Sequence, residues 1–268
     1  MMPTIHEVRL ALDAEVLRRL GERFGVQTWP VVLDIADTAQ DEAARRAADR
    51  ESDATIDALG LIEQEEPTPV AATVLRVLAR PQREIEIRSY SESGVRRICL
   101  ARNGYQHVLA VRNDDRVEVE VVEVPDVGAL ASLVRAQFAD VTPCEFTAIS
   151  KPAEEVVERL GRARTGTETT DALHALGATP ADAGTVSSAL ASCRVRTEIV
   201  ASSGEDGRFS QSSGAVAIFD TDRGRIVASP SKSPDGRVWT TLSPGSGHRI
   251  AQAVSLLIET LPDEKWMP

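Results

Sequence analysis

The chain has 268 residues (28.9 kDa), 42% hydrophobic and 26% charged, with a formal net charge of −11. A chain of this length buries about 70–75% of its unfolded surface without help from disulfides or metals, which excludes disordered, collagenous and mini-protein classes. No apolar run approaches the ~20 residues of a membrane span, and an acidic chain without a basic tract is a poor nucleic-acid partner, because that binding rests on phosphate contacts.

The opening stretch reads as a helix, with Leu10, Leu17, Leu20 and Phe24 on one face and Gly25 at its end. Residues 29–35 are a short apolar run, read as a strand that Pro30 places at an edge. A helix is expected over 38–59, with Gly60 as its C-cap. Residues 34–66 hold eleven acids against three arginines, a local net charge of −8, read as a solvated acidic helix face. Pro67 and Pro69 precede another helix through Val70, Val74, Val77 and Leu78, which Pro81 stops.

From Arg83 the hydrophobic period changes from 3.6 to 2. Ile85 and Ile87 alternate with Glu84, Glu86 and Arg88, and strands follow at 95–101, 105–111 and 116–124. Ser93-Gly94, Asn103-Gly104 and Asn113-Asp114 supply the turns of a hairpin meander. Asp126 then caps a helix that buries Val127, Leu130, Val134 and Phe138. Residues 152–191 supply helices ahead of a second meander, at 194–201, 214–220, 225–229 and 237–242, with turns at Asp206-Gly207, Arg223-Gly224 and Asp235-Gly236. An amphipathic helix with Ile250, Val254, Leu257, Ile258 and Leu261 on one face closes the chain. Both halves run four strands and then one helix. The expected fold is α+β, a single domain over 1–268 with pseudo-twofold halves at about 1–150 and 151–268.

Catalytic motifs fail on spacing. Pro244-Gly245-Ser246-Gly247-His248 lacks the glycine two places before the serine that a nucleophile elbow needs, so Ser246 reads as a helix cap. A serine-type hydrolase using Ser246 and His248 is the enzymatic alternative. His6, His107, His174 and His248, with Cys99, Cys144 and Cys193, show no metal-ligand or disulfide spacing, so no cofactor or metal is expected. With no signal-peptide core at the start, the expected compartment is the cytoplasm.

Binding-type residues gather on two segments. One is the hairpin Tyr90, Ser91, Glu92, Ser93 and Gly94, followed by Arg96 and Arg97. The other is the polar loop 202–213, containing Ser203, Arg208, Phe209, Gln211 and Ser213. Aromatic and arginine residues on loops held by rigid sheets are the composition of protein interfaces.

The run Gly214-x-Val216-x-Ile218-x-Asp220-Thr221-x-x-Gly224-Arg225-Ile226, then SPSKSPDGRVWTTLSPGS and an apolar helix ending in Leu261-Pro262, resembles the EspG family of ESX (type VII) secretion-associated chaperones. Trp29-Pro30-x-x-Leu33-x-Ile35 resembles the family's early segment. The resemblance implies two quasi-symmetric halves around a shared central sheet. It implies a non-enzymatic cytosolic chaperone that binds PE–PPE heterodimers, covering the apolar tip of the PPE subunit before export. Carried onto this chain, the cargo-binding elements are the 90–97 hairpin, the 202–213 loop with its flanking strands, and the 152–191 helices. A cytosolic regulatory scaffold is the remaining alternative. Exposed sheet edges leave the chain a monomer or a weak homo-oligomer.

Overall fold

A computed structural model describes residues 9–205 and 208–268. Among them eight α-helices accompany extensive antiparallel sheet, so the fold is α+β. The chain divides into two compact units: residues 9–88, 95–123 and 204–205, and residues 89–94, 124–203 and 208–268.

In the first unit, residues 9–13 alternate rather than spiral. Leu10 and Leu12 pair with Val119 and Val117, making β1 (Arg9–Asp13) a strand where a helix was expected. The period-2 pattern across an open edge outweighs the helical spacing of Leu10 and Leu17. The helix α1 (Ala14–Arg23) starts only after Asp13, burying Val16, Leu17 and Leu20. Residues 29–35 are also not a strand. Pro30 leads into a single 3₁₀ turn, Val31–Leu33, closed by Asp34 in the left-handed region at φ 53°. Val32 and Leu33 are buried, whereas Val31 is 82% exposed.

The acidic helix α2 (Glu42–Ala58) is capped by Asp41, whose carboxylate accepts the Ala44 N–H at 2.8 Å. Gly60, at φ 60°, lets the chain leave it. A two-stranded hairpin unseen in the sequence follows, β2 (Ile62–Glu63) and β3 (Glu66–Pro67), turning through Gln64 and Glu65 at positive φ. The next helix, α3 (Pro69–Ala79), has Thr68 as cap and Pro69 in its first turn. Then come β4 (Arg83–Ser91), β5 (Gly94–Asn103), β6 (Gln106–Asn113) and β7 (Arg116–Val122). Strand order in this unit is β1-β7-β6-β5-β4. Leu17, Leu20, Val74, Leu78, Val108 and Val117 belong to its continuous apolar core.

The acidic stretch is less solvated than its charge implied. Arg18, 4% exposed, lies among Glu15, Glu22 and Asp49, with Asp49 at 2.8 Å. Arg19 makes a two-pronged bridge to Asp53 at 2.8 and 3.0 Å. One side of α2 is therefore fastened to α1 by ion pairs, and only the other side meets water.

The second unit begins, in chain order, with the end of β4 at residues 89–91 and continues at α4 (Val127–Arg135), capped by Asp126. It adds β8 (Ile149–Pro152), another strand absent from the sequence reading, then α5 (Ala153–Arg162), α6 (Gly166–Ala175) and α7 (Pro180–Ala191). The strands β9 (Cys193–Glu205), β10 (Arg208–Gln211), β11 (Val216–Thr221), β12 (Gly224–Lys232) and β13 (Val238–Pro244) precede α8 (Gly247–Ile258). Strand order is β9-β11-β12-β13-β8, with β10 paired to β9. Leu173, Val186, Ile226, Ala228 and Leu242 form a cluster between α6, α7 and one sheet face. The last helix packs on β12 and against α4, contributing nothing to that cluster, so it covers the opposite face.

Replacing Arg18 by Ala leaves its carboxylates crowded without their cation and is expected to cost about 3 kcal/mol. Arg46→Ala, at the exposed bridge to Glu42, should change stability by less than about 0.5 kcal/mol. Urea denaturation reads both. Hydrogen bonding from Arg19 holds the Asp53 carboxyl below its ordinary 3.8. The pair's contribution is therefore complete above that value and lost as pH falls through the lowered folded-state pKa. Arg19→Gln should flatten that acid-side slope.

Candidate functional site

The residues that shape the second unit meet at Arg225, which is 2% exposed on β12. Its guanidinium grips both Asp220 carboxylate oxygens, one at 2.9 Å, and donates to the Ala139 carbonyl at 2.9 Å. Its backbone N–H bonds the Thr142 carbonyl at 2.8 Å, and its carbonyl accepts from Cys144 at 2.9 Å and Gly245 at 2.8 Å. Two glycines leave room for this convergence. A Cβ on Gly224, at φ 106°, would lie 2.7 Å from backbone atoms of residues 142–144; one on Gly245 would lie 2.8 Å from the Arg225 carbonyl. Ser246 caps α8 by accepting the Arg249 N–H at 3.2 Å.

In the same unit the hairpin reaches its tip at Glu92-Ser93, with Ser91 and Ser93 hydroxyls 2.8 Å apart. Tyr90 is half-buried, and the Arg196 guanidinium carbon sits 5.2 Å from its ring centroid, a cation–π distance. The ninth strand is two-faced. Thr197, Ile199 and Ala201 are buried, with the Thr197 hydroxyl 2.8 Å from that of Ser89. Arg194, Arg196 and Glu198 point the other way and are exposed; Arg196 pairs Glu198 at 3.1 Å and Arg194 pairs Asp222. The result is an open strip of aromatic ring, guanidinium and carboxylate.

The expected loop 202–213 is mostly strand. The ninth strand runs on to Glu205 and β10 folds back along it, while the turn expected at Asp206-Gly207 lies outside the described residues. Ser203 is buried, its hydroxyl donating to the Ser210 carbonyl at 3.5 Å. Arg208 opens β10; Phe209 is 64% exposed, and Gln211 and Ser213 are exposed. Ser213 is nonetheless held, since its N–H donates to the Thr260 carbonyl at 3.0 Å.

Arg96 and Arg97 belong to the first unit. Burial lowers the pKa of the Arg96 guanidinium, with Glu118 opposing that shift. Arg97 bridges Asp34 at 3.2 Å. The structure thus gathers Tyr90–Ser93 with Ser203, Arg208, Phe209, Gln211 and Ser213 in one unit and sets the two arginines in the other. Sequence reasoning counted the strand before the 202–213 loop among the binding elements but singled out none of Arg194, Arg196 and Glu198, although the Arg-x-Arg-x-Glu alternation was there to mark one exposed face.

The sequence matches the EspG family over residues 13–255. This chain belongs to the EspG family. It is 29% identical to the ESX-3 secretion-associated protein EspG3 of Mycobacterium tuberculosis (strain CDC 1551 / Oshkosh), covering 93% of this chain and 90% of that protein. Identity to the ESX-1 secretion-associated protein EspG1 of Mycobacterium tuberculosis (strain ATCC 25618 / H37Rv) is 27%, over 97% and 89%. The fold is that of the type VII secretion system chaperone EspG5 of Mycobacterium tuberculosis, solved in complex with the PE25-PPE41 dimer. The TM-score is 0.81 at 18% identity, over 97% of this chain and 99% of that one.

Of the segments that carried the EspG resemblance, Asp220, Gly224, Arg225 and Gly245 belong to the Arg225 frame. Gly245→Ala is expected to destabilise by about 1–3 kcal/mol through overpacking against Arg225. Ser246→Ala loses only a cap, about 1 kcal/mol. Equilibrium unfolding of both variants separates the two effects.

Proposed function

We propose that this EspG chain is a cytoplasmic, non-enzymatic export chaperone that binds PE–PPE heterodimers through the PPE subunit and keeps them soluble for type VII secretion. The observation that carries the reading is the fold it shares with a chaperone solved in complex with a PE–PPE dimer. The physical need is plain: a large exposed apolar patch aggregates unless covered. Release of cargo requires a reversible contact, and a standard interface of about 1,600 Å² with an anchored centre and a polar rim provides one.

The cargo surface we assign is the strip of Tyr90, Arg196 and Glu198, flanked by the Ser91–Ser93 tip and by Phe209 and Gln211 on β10. Tyr and Arg are the side chains that most often dominate such contacts. Tyr90 and Arg196 already hold one another, so little side-chain freedom is left to lose on binding. Phe209 offers apolar area on a strand rather than a loose loop. Against the hydrolase alternative stands the role of Ser246, whose oxygen accepts the Arg249 N–H at the start of α8. No helix among the described residues is long and apolar enough to cross a membrane.

Co-expression with each PE–PPE pair encoded in the same secretion locus, followed by size exclusion, is expected to give one co-eluting complex. Failure with every pair sinks the proposal. In that complex Tyr90→Ala combined with Arg196→Glu should weaken capture by about tenfold or more, equivalent to about 1.4 kcal/mol, while circular dichroism stays unchanged. Arg96 and Arg97 are tested separately. Exchanging charges in the variant Asp34→Arg/Arg97→Asp keeps the internal bridge, so a loss of capture there reports on cargo and not on folding. Arg96→Glu alone reads the neighbouring position.

A further inference from the structure

A second surface lies wholly within the first unit and shares no residue with the cargo strip. Ala72, Leu75, Arg76 and Ala79 of α3, with its C-cap Arg80, line a cleft of about 490 Å³, at whose base Leu75 is buried as part of the core. The opposite wall is residues 24–28, where Phe24 and Val26 are partly buried against the core and present the rest of their surface to the cleft. The chain turns into that wall at Gly25, φ 72°. A volume of this size falls in the range of binding clefts. Two alanines in the floor let a partner's backbone approach closely.

The charges decide what fits. Among the described residues, Arg76 and Arg80 are the only charged ones lining the cleft. Both are exposed, and among the described residues neither guanidinium has an ion pair. The Arg76 group donates to the Gln106 side chain, while at Arg80 it is the backbone carbonyl that is engaged, by Asn103 at 2.6 Å. Arg80 follows Arg76 by four residues as the cap of the helix, its N–H donating to the Arg76 carbonyl at 3.3 Å. The chain as a whole carries −11, so this basic rim on an apolar slot runs against the general charge.

We infer that the cleft docks an acidic amphipathic helix of a protein partner other than the cargo. Its aliphatic side chains would fill the slot between Phe24 and Leu75, and carboxylates spaced by one turn would meet Arg76 and Arg80. A second copy of this chain suits the cleft poorly. Its one strongly acidic helix, α2, buries Ile56 in its own core and exposes only alanine among its apolar side chains.

The test uses the full chain without cargo and two fluorescein-labelled helical peptides of about 16 residues. They share one leucine stripe, flanked by glutamates in the first and by lysines in the second. Anisotropy titration should show saturable binding of the glutamate peptide, at least about tenfold tighter than the lysine peptide. The double variant Arg76→Glu/Arg80→Glu, altered only at exposed positions, should invert that preference. Ala79→Tyr should block both peptides at unchanged Tm. Equal binding of the two peptides, no binding, or a preference that survives the arginine reversal overturns the inference. So does a concentration-dependent dimer abolished by Ala79→Tyr, which would make a second copy the occupant. Displacement of the peptide by a bound PE–PPE pair would assign the cleft to cargo and overturn it equally. Because the primary titration contains no cargo, its result is independent of whether the chaperone reading holds.

Discussion

A buried guanidinium without its carboxylate destabilises a protein by several kcal/mol, and Arg225 is such a group held in place by Asp220. Everything near it is arranged by that requirement. The side chain fixes the β11–β12 hairpin through Asp220 and reaches the segment after α4 through the Ala139 carbonyl. The backbone of the same residue ties in residues 142–144 on one side and the entry to α8 on the other. One residue therefore ties together the β11–β12 hairpin, the segment after α4 and the segment leading into α8. Gly224 and Gly245 are consequences of this crowding, since a Cβ on either would lie within 3 Å of backbone atoms of the frame.

Charge serves a different end in the first unit. Its helices α1 and α2 meet through arginines on one and acids on the other, with little apolar surface contributed by α2 beyond Ile56. Ion pairs of this partly exposed kind contribute modestly one at a time. Grouped around a nearly buried Arg18 they become interdependent, because removing the cation leaves several carboxylates facing each other. The local −8 is thus partly an internal adhesive and only partly a surface property.

Much of the fold was readable from the sequence wherever a periodic pattern ran long enough. The 83–122 meander, α3, α4 and α8 all follow their alternation or helical spacing. Failures cluster in short segments, where the deciding partner is distant in sequence. The first strand needs Val117 and Val119 to be recognisable as a strand, β8 needs β13, and β10 needs β9. Residues 29–35 failed for another reason: Pro30 and a left-handed Asp34 bracket too few residues for a strand to form.

The candidate site was harder to read because exposure depends on which face the helices leave uncovered. Arg196 and Phe219 are cross-strand neighbours, as are Glu198 and Ala217. Phe219 and Ala217 pack against the α6–α7 cluster, while Arg196 and Glu198, one strand further on, lie beyond its reach. Alternation alone identifies this face of β9, but it does not say where helix cover stops. The tertiary packing does, and it stops between β11 and β9. It follows that the residues marking family membership and those proposed to choose a partner are separate sets. Gly224, Arg225, Gly245 and Ser246 build the frame, and a change there acts through stability. Tyr90, Arg196 and Phe209 stand clear of it, so they can vary between chains with the fold intact, and cargo preference would change with them.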